Sequence, residues 1–351
     1  MDDVWSAPEC TPADIEEALR ALLAKRTEQT QGYTPARVLN LVVIVDKEWR
    51  GEIANRLEQV GRYHASRTVM CVVEQGRESL SATARMTAPD QDPPPGHVAT
   101  GEETIEIDVG PQHLGRLDSI VDPILVSELM TVVWSPHGHP EAVDGLMRLT
   151  QVVLLDSLEE PEVHAALERG GQLAAKAYVV DLSWLRSVPW RERIASTFDA
   201  ADMRPELAKI SALTVRYRPD SLAAGVLFVG WMASRLGWRP SPLVSADGGL
   251  RGQVHARRQD VDIRLDADQT MPVPGLAGMD IETASGLSMS LDRDLGGLRA
   301  RRRERDGEER TWHVLGASRG EGGILGEGVR QALLRDPTFQ PALEAARGMV
   351  R

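Results

Sequence analysis

Up to about Asp199, short apolar runs alternate with stretches that are apolar on one helical face only. The runs are Val38–Val45, Thr68–Val73, Thr104–Val109, Thr131–Trp134, Val152–Leu155 and Ala177–Val180. Each is strand-sized and rich in β-branched residues, which predicts buried strands. Between them, Glu48–Val60 places Ile53, Leu57 and Val60 on one side of a helix, and Glu160–Leu173 reads the same way. An earlier helix opens at Thr11, a capping residue, with Pro12 in the first turn where its missing N–H costs nothing. Ile15, Ala18, Leu19, Leu22 and Leu23 form its apolar face. Strands alternating with helices predict a doubly wound, mostly parallel sheet with helices on both faces, a Rossmann-like α/β domain over residues 1–203. Ala88–Gly96, with three consecutive prolines, interrupts the pattern as a loop.

After Asp199 the pattern changes. A strand, Ile210–Tyr217, precedes a helix, Ser221–Leu236, and extended runs follow, separated by turn signals. Those signals are Asp247-Gly248-Gly249, Arg258-Gln259-Asp260, Ser285-Gly286 and Asp306-Gly307. Asp-Gly between extended runs predicts hairpins, because type I′ turns need positive φ at both central residues. Residues 204–351 therefore read as an α+β domain, an antiparallel sheet closed by two C-terminal helices. A glycine-rich turn at Gly322–Gly328 opens the first of these helices, and Asp336-Pro337 separates it from the second.

Composition narrows the function classes. The 351 residues are 42% hydrophobic and 26% charged, which suits ordinary soluble cores of about two domains. A net charge of -12 argues against a general nucleic-acid or anionic-membrane binder. No apolar run approaches the roughly 20 residues of a membrane span, and Met1–Trp5 lacks the basic and apolar regions of a secretory signal. Only Cys10 and Cys71 occur, in no ligand spacing, so a reducing cytoplasm and no regulatory disulfide are expected. Eight of the aromatic residues are Trp, against four Tyr and three Phe. Trp fills cores, and it also anchors protein–protein contacts.

The strand ends, where an open α/β sheet binds ligands, carry Asp46-Lys47, Glu74-Gln75-Gly76, Ser135–His139, Asp156-Ser157 and Asp181–Ser183. None has the glycine fingerprint of a dinucleotide site or a phosphate loop, and no nucleophile elbow is present. His137 and His139 lack a placed third metal ligand. No catalytic residue, cofactor site or metal site is therefore assigned. Arg62, His64, Ser66 and Arg67 form a small basic cluster at the amino end of a strand, the wrong edge for the usual ligand crevice, and read as structural. Arg299, Arg301, Arg303 and Arg305 alternate along a predicted strand and should share one face. A two-residue turn at Asp306-Gly307 would set Arg305 opposite Glu308 and Arg301 opposite Trp312. The strip reads either as a solvated face or as a docking surface for an acidic partner.

Several ordered stretches resemble the glucose-6-phosphate dehydrogenase assembly protein family (OpcA). They are Ala36–Val43, His64–Thr68, Val126–Trp134, Asp181–Arg191, Gly230–Trp238 and Gly322–Phe339. Met130 stands where proline is expected, and Ser135 where a second tryptophan is common. The resemblance implies a non-catalytic accessory protein that assembles or allosterically activates glucose-6-phosphate dehydrogenase in the oxidative pentose phosphate pathway. With two cysteines the chain looks like the shorter actinobacterial type, without the thioredoxin-linked switch of cyanobacterial relatives. The interface residues expected on this reading are Trp184, Pro189, Trp190 and Arg191, with Trp190 as surface anchor, together with Arg299, Arg303 and Arg305. The competing reading is an α/β enzyme or sensor that binds a small anionic, sugar-phosphate-like metabolite between its domains.

Overall fold

The computed structural model describes residues 3–29, 37–61, 65–87, 103–315 and 320–350. They fall into two compact units: Met1–Leu155 with Lys176–Val179 and Leu325–Leu334, and Asp156–Ala175 with Val180–Ile324 and Arg335–Arg351. The chain thus passes between units several times, where the sequence pattern suggested one boundary at 203/204. The segments Asp156–Ala175 and Val180–Phe198 belong to the second unit because their helices pack on helices of that unit.

The first sheet takes β1 (Asp3–Ala7), β2 (Leu39–Asp46), β3 (Ser66–Val73), β4 (Ser81–Met86), β5 (Glu103–Val109), β6 (Thr131–Trp134), β7 (Val152–Leu155) and β8 (Tyr178–Asp181). Its order is β1-β4-β5-β3-β2-β6-β7-β8. Strands β5, β3, β2, β6 and β7 run parallel, with Val42 in register with Val69 on one side and Val133 on the other. The six strands expected from apolar runs are all present. Strands β1 and β4 add an antiparallel edge. They escaped the sequence reading because β4 is buried only at alternate residues, a pattern too short to stand out. Helices α1 (Pro12–Gln29), α2 (Arg50–Gly61), α3 (Leu117–Val121) and α4 (Pro140–Gly145) belong to this unit. The α1 start is a reciprocal cap: the Thr11 N–H and hydroxyl both donate to Asp14, and the Asp14 N–H donates back to the Thr11 hydroxyl. Central β2 supplies much of the core, with Leu39 and Leu41–Val45 at most 1% exposed.

The second unit contains α5 (Val163–Ala174), α6 (Leu182–Arg186), α7 (Val188–Phe198), β9 (Ile210–Tyr217) and α8 (Leu222–Leu236). There follow β10 (Val244–Ala246), β11 (Gly249–His255), β12 (Asp260–Ala267), β13 (Leu276–Thr283), β14 (Ser288–Asp294), β15 (Gly297–Arg303) and β16 (Glu309–Leu315). Helix α9 (Gly320–Leu334) is divided between the units, and α10 (Phe339–Arg347) completes the second. The sheet order is β10-β11-β12-β9-β13-β14-β15-β16. It is antiparallel except between β12 and β9, which run parallel because α8 carries the chain back after β9. The β10–β11 turn has Asp247 and Gly248 at φ 49° and 75°, the type I′ geometry its sequence demands. Helix α8 is nearly all buried and packs on α10 and on β9. A methyl group at Gly230 would sit 2.3 Å from the Ala342 carbonyl oxygen, so only glycine permits this approach of α8 and α10.

Candidate functional site

The family-like segment Asp181–Arg191 is an interior scaffold. Asp181 caps α6 by accepting the Ser183 N–H at 2.8 Å, and it also accepts the Ser157 N–H and hydroxyl. The Ser183 hydroxyl donates to Asp156 at 2.7 Å, and Arg186 donates to both Asp156 oxygens at 2.9 and 2.8 Å. Asp156, Asp181 and Arg186 are all buried, and the Arg186 guanidinium pairs with Asp156. Burial, reinforced by the neighbouring Asp156 charge, pushes the Asp181 carboxyl up to about 6.

One turn on, the Arg191 guanidinium lies 3.5 Å from the centre of the Trp184 ring, and the indole N–H donates to Asp336 at 3.0 Å. Arg191 faces the same carboxylate at 3.5 Å. Burial lowers its guanidinium pKa to about 10 despite that charge. Phe339 packs against Trp184 at 5.6 Å between ring centres, and Arg293 lies 5.9 Å from the Trp190 ring. The chain enters the second unit at Asp156, Val180 and Arg335. At or beside each entry a carboxylate (Asp156, Asp181 or Asp336) grips the 183–191 stretch.

The expectation of a Trp190 surface anchor is therefore corrected. Trp184 and Trp190 are each 1% exposed, and Arg191 is buried. Aromatic bulk draws the rings inward, and Asp336 supplies the partner that the indole and the guanidinium need there. Pro189 stands in the first turn of α7. Trp231, expected in the core, is buried on α8 beside Phe228.

The arginine strip is placed differently. Arg299, Arg301 and Arg303 project from β15 on its exposed face, while Leu298 and Ala300 are buried. Arg299 and Arg301 approach Asp292 only at 3.7 and 4.0 Å, and Arg303 has no ion pair among the described residues. Arg305 leaves the strip. The turn has three residues, Arg305 to Gly307, with Glu304 and Glu308 joined across it and Gly307 at φ 90°. That geometry is the type I turn with a glycine bulge, and it shifts the register by one residue. Arg305 consequently pairs with buried Glu206 rather than Glu308. Arg301 faces Thr311, and Trp312 faces Ala300, so no Arg301–Trp312 stack forms.

At the carboxyl ends of β2 and β6, the order β3-β2-β6 makes the topological switch point of the first sheet. Where dinucleotide folds carry a glycine turn, Lys47–Trp49 forms a 3₁₀ turn whose Trp49 ring stacks on His137 at 5.0 Å. His139 bonds Asp46 at 3.1 Å. No group of three or more His, Cys, Asp or Glu side chains among the described residues is arranged to hold a metal. Arg62 and His64 lie outside the described residues, as does Ala88–Gly96. Arg67 is taken up by Glu103 at 2.9 Å and by the Ile124 carbonyl oxygen. No helix among the described residues is long and apolar enough to cross a membrane.

Both cysteines are free thiols. Burial pushes the Cys71 thiol up to about 12, whereas Cys10 is half-buried and donates to the Leu80 carbonyl oxygen. The thiolate is the reactive form. A thiol reagent at pH 8 is expected to label Cys10 in the native protein and Cys71 only after unfolding. Equal labelling rates, or a Cys10–Cys71 bridge after mild oxidation, would contradict this placement.

Comparison with known proteins gives two adjacent matches. Residues 57–172 match the family model described as glucose-6-phosphate dehydrogenase subunit N-terminal domain, and residues 177–343 match the corresponding C-terminal domain. A relative from Nostoc punctiforme, provisionally named OxPP cycle protein OpcA, is 32% identical over 132 residues, covering 36% of this chain and 28% of that protein. A Synechocystis protein of the same provisional name is 28% identical over 131 residues, with the same shares. The match therefore spans little more than a quarter of these relatives. Among solved structures, a provisionally assigned oxidoreductase from Bacillus subtilis aligns over 89% of this chain and 95% of its own. Its identity is 10% and its TM-score 0.47, which carries no functional argument.

Proposed function

The chain belongs to the glucose-6-phosphate dehydrogenase assembly protein family, and from that membership we propose that it is a non-catalytic partner of glucose-6-phosphate dehydrogenase, promoting its assembly or activation in the oxidative pentose phosphate pathway. The observation that carries the reading is the pair of consecutive domain matches over residues 57–172 and 177–343. A reducing cytoplasmic setting accompanies it, consistent with two free cysteines. An accessory protein raises activity only by binding the active arrangement of the enzyme more tightly than the inactive one. A tenfold shift needs about 1.4 kcal/mol of preference, a modest demand on one interface.

The docking surface we favour is the exposed face of β15. Arg299, Arg301 and Arg303 stand in a row there with only loose internal partners, a fit for an acidic surface. Such rim charges act mainly on the association rate and weaken with salt. The test adds the purified chain to the dehydrogenase of its own organism, following co-elution and rate. Activity should rise, or the substrate requirement fall, with wild type. The variant carrying Arg299→Glu and Arg303→Glu should melt normally yet associate about tenfold more slowly at low salt. No effect of the wild type on rate, assembly or co-elution would remove the functional reading. A normally associating double variant would leave β15 as a solvated face.

A further inference from the structure

Among the arginines of the second unit that are at least partly buried, a carboxylate is the usual companion. Arg186 faces Asp156 at 2.8 Å, Arg191 faces Asp336 at 3.5 Å, Arg216 faces Asp292 at 2.9 Å and Arg347 faces Glu168 at 2.7 Å. The reason is physical: a guanidinium taken partly out of water needs a compensating charge. Arg193 and Arg293 break the pattern. Each is partly buried, and neither has an ion pair among the described residues.

The two belong to one neighbourhood. Arg293 follows Met289 and Leu291 on the buried side of β14 and places its guanidinium 5.9 Å from the centre of the Trp190 ring. Arg193 stands three residues after Trp190 on α7, and positions three apart on a helix are surface neighbours. Two nitrogens of Arg293 donate to the Leu276 carbonyl oxygen at 3.2 Å, which leaves its charge unmatched. Burial alone acts on that guanidinium, lowering its pKa with no carboxylate to offset it. The Arg193 Nε–H is buried without any hydrogen-bond acceptor. Acids close by are engaged elsewhere or turned away. Asp292 and Asp294 flank Arg293 in sequence but lie on the other face of β14, where Asp292 pairs with Arg216 and Asp294 is 3.2 Å from the His313 ring nitrogen. Asp336 is held by Arg191 and the Trp184 N–H. Glu192 is exposed and pairs with neither arginine.

We infer that Arg193 and Arg293 form an oxyanion clamp beside Trp190, which takes a phosphate or carboxylate group from solvent. A guanidinium offers its N–H groups in a planar fork that matches two oxygens, and an anion supplies both the acceptors and the charge that the fold omits here. A neutral hydroxyl compound would supply acceptors without the charge, and a cation would add to the excess. The clamp lies wholly within the second unit and does not depend on the partner reading above.

Isothermal titration of the purified full chain with sodium phosphate and, separately, sodium acetate, against chloride at matched ionic strength, tests it. At least one of the two anions should bind saturably, and the tighter one tells phosphate from carboxylate. Arg193→Gln and Arg293→Gln should each weaken binding by about tenfold, the loss of one charge-assisted contact. The Arg193 variant carries the test by itself if Arg293→Gln melts low, since Arg293 also braces the Leu276 carbonyl. Arg303→Gln, which removes a cation from the exposed face of β15, should bind as wild type does. No saturable binding of either anion up to on the order of 50 mM, or unchanged affinity in the folded variants, overturns the clamp. Equal weakening by Arg303→Gln overturns it too, because binding would then follow net charge alone.

Discussion

Arg186→Met is expected to lower the melting temperature at pH 8 by roughly 10 °C, the consequence of losing about 3–5 kcal/mol. The residue is buried and donates two hydrogen bonds to Asp156, with Asp181 close behind through Ser157 and Ser183. Removing the cation strands the Asp156 carboxylate in the interior beside Asp181, a larger penalty than the net worth of the pair itself. The deficit should shrink with acidification. In the native chain the Asp181 carboxyl already stands at about 6, raised first by burial and then by Asp156. A raised carboxyl favours folding at low pH, where it is protonated. That contribution is complete below its unfolded value of about 4 and is lost as pH rises through about 6. Acid discharges the interior carboxylate charge that Arg186→Met leaves uncompensated, so the variant should approach wild type at pH 5. Adding Asp156→Asn should recover more than half of the loss at pH 8. Thermal melts of the three proteins at both pH values decide it. A single variant within about 1 kcal/mol of wild type at pH 8 would mean that these charges are not buried together.

Trp184→Ala should cost a similar amount, about 3–5 kcal/mol, through a different mechanism. The ring is 1% exposed, packs on Phe339 and carries the Arg191 guanidinium on its face. Truncation opens a cavity and leaves Arg191 buried with one partner fewer. Trp184→Phe keeps most of the volume but withdraws the indole N–H from Asp336, so about 1–2 kcal/mol should be lost. Urea midpoints of the two variants would separate packing from hydrogen bonding. A Trp184→Ala chain that unfolds like wild type but fails to bind the dehydrogenase would return this ring to a surface role.

The local grammar of the chain determined much of its architecture. The strands β2, β3, β5, β6, β7 and β8 follow from apolar runs, and the β10–β11 turn from Asp247-Gly248, because each is specified by neighbours in sequence. The exposed row Arg299, Arg301 and Arg303 follows from the two-residue period of a strand. The arginine that broke ranks did so through a turn: one added residue before Glu308 carried Arg305 to Glu206, and Trp312 moved opposite Ala300. The polar face of β3, β5 and β4 was equally illegible, since Thr68, Thr83 and Glu106 come to share it only when β4, invisible in the pattern, pairs with β5.

Tertiary structure alone decided the role of Asp181–Arg191. The sequence marked the segment, but whether a tryptophan points in or out depends on what waits for its N–H. For Trp184 that acceptor is Asp336, 152 residues away. For Arg186 it is Asp156, 30 residues back. A buried polar group is tolerable only when such a partner is in place, and periodicity along the chain carries no information about partners that distant.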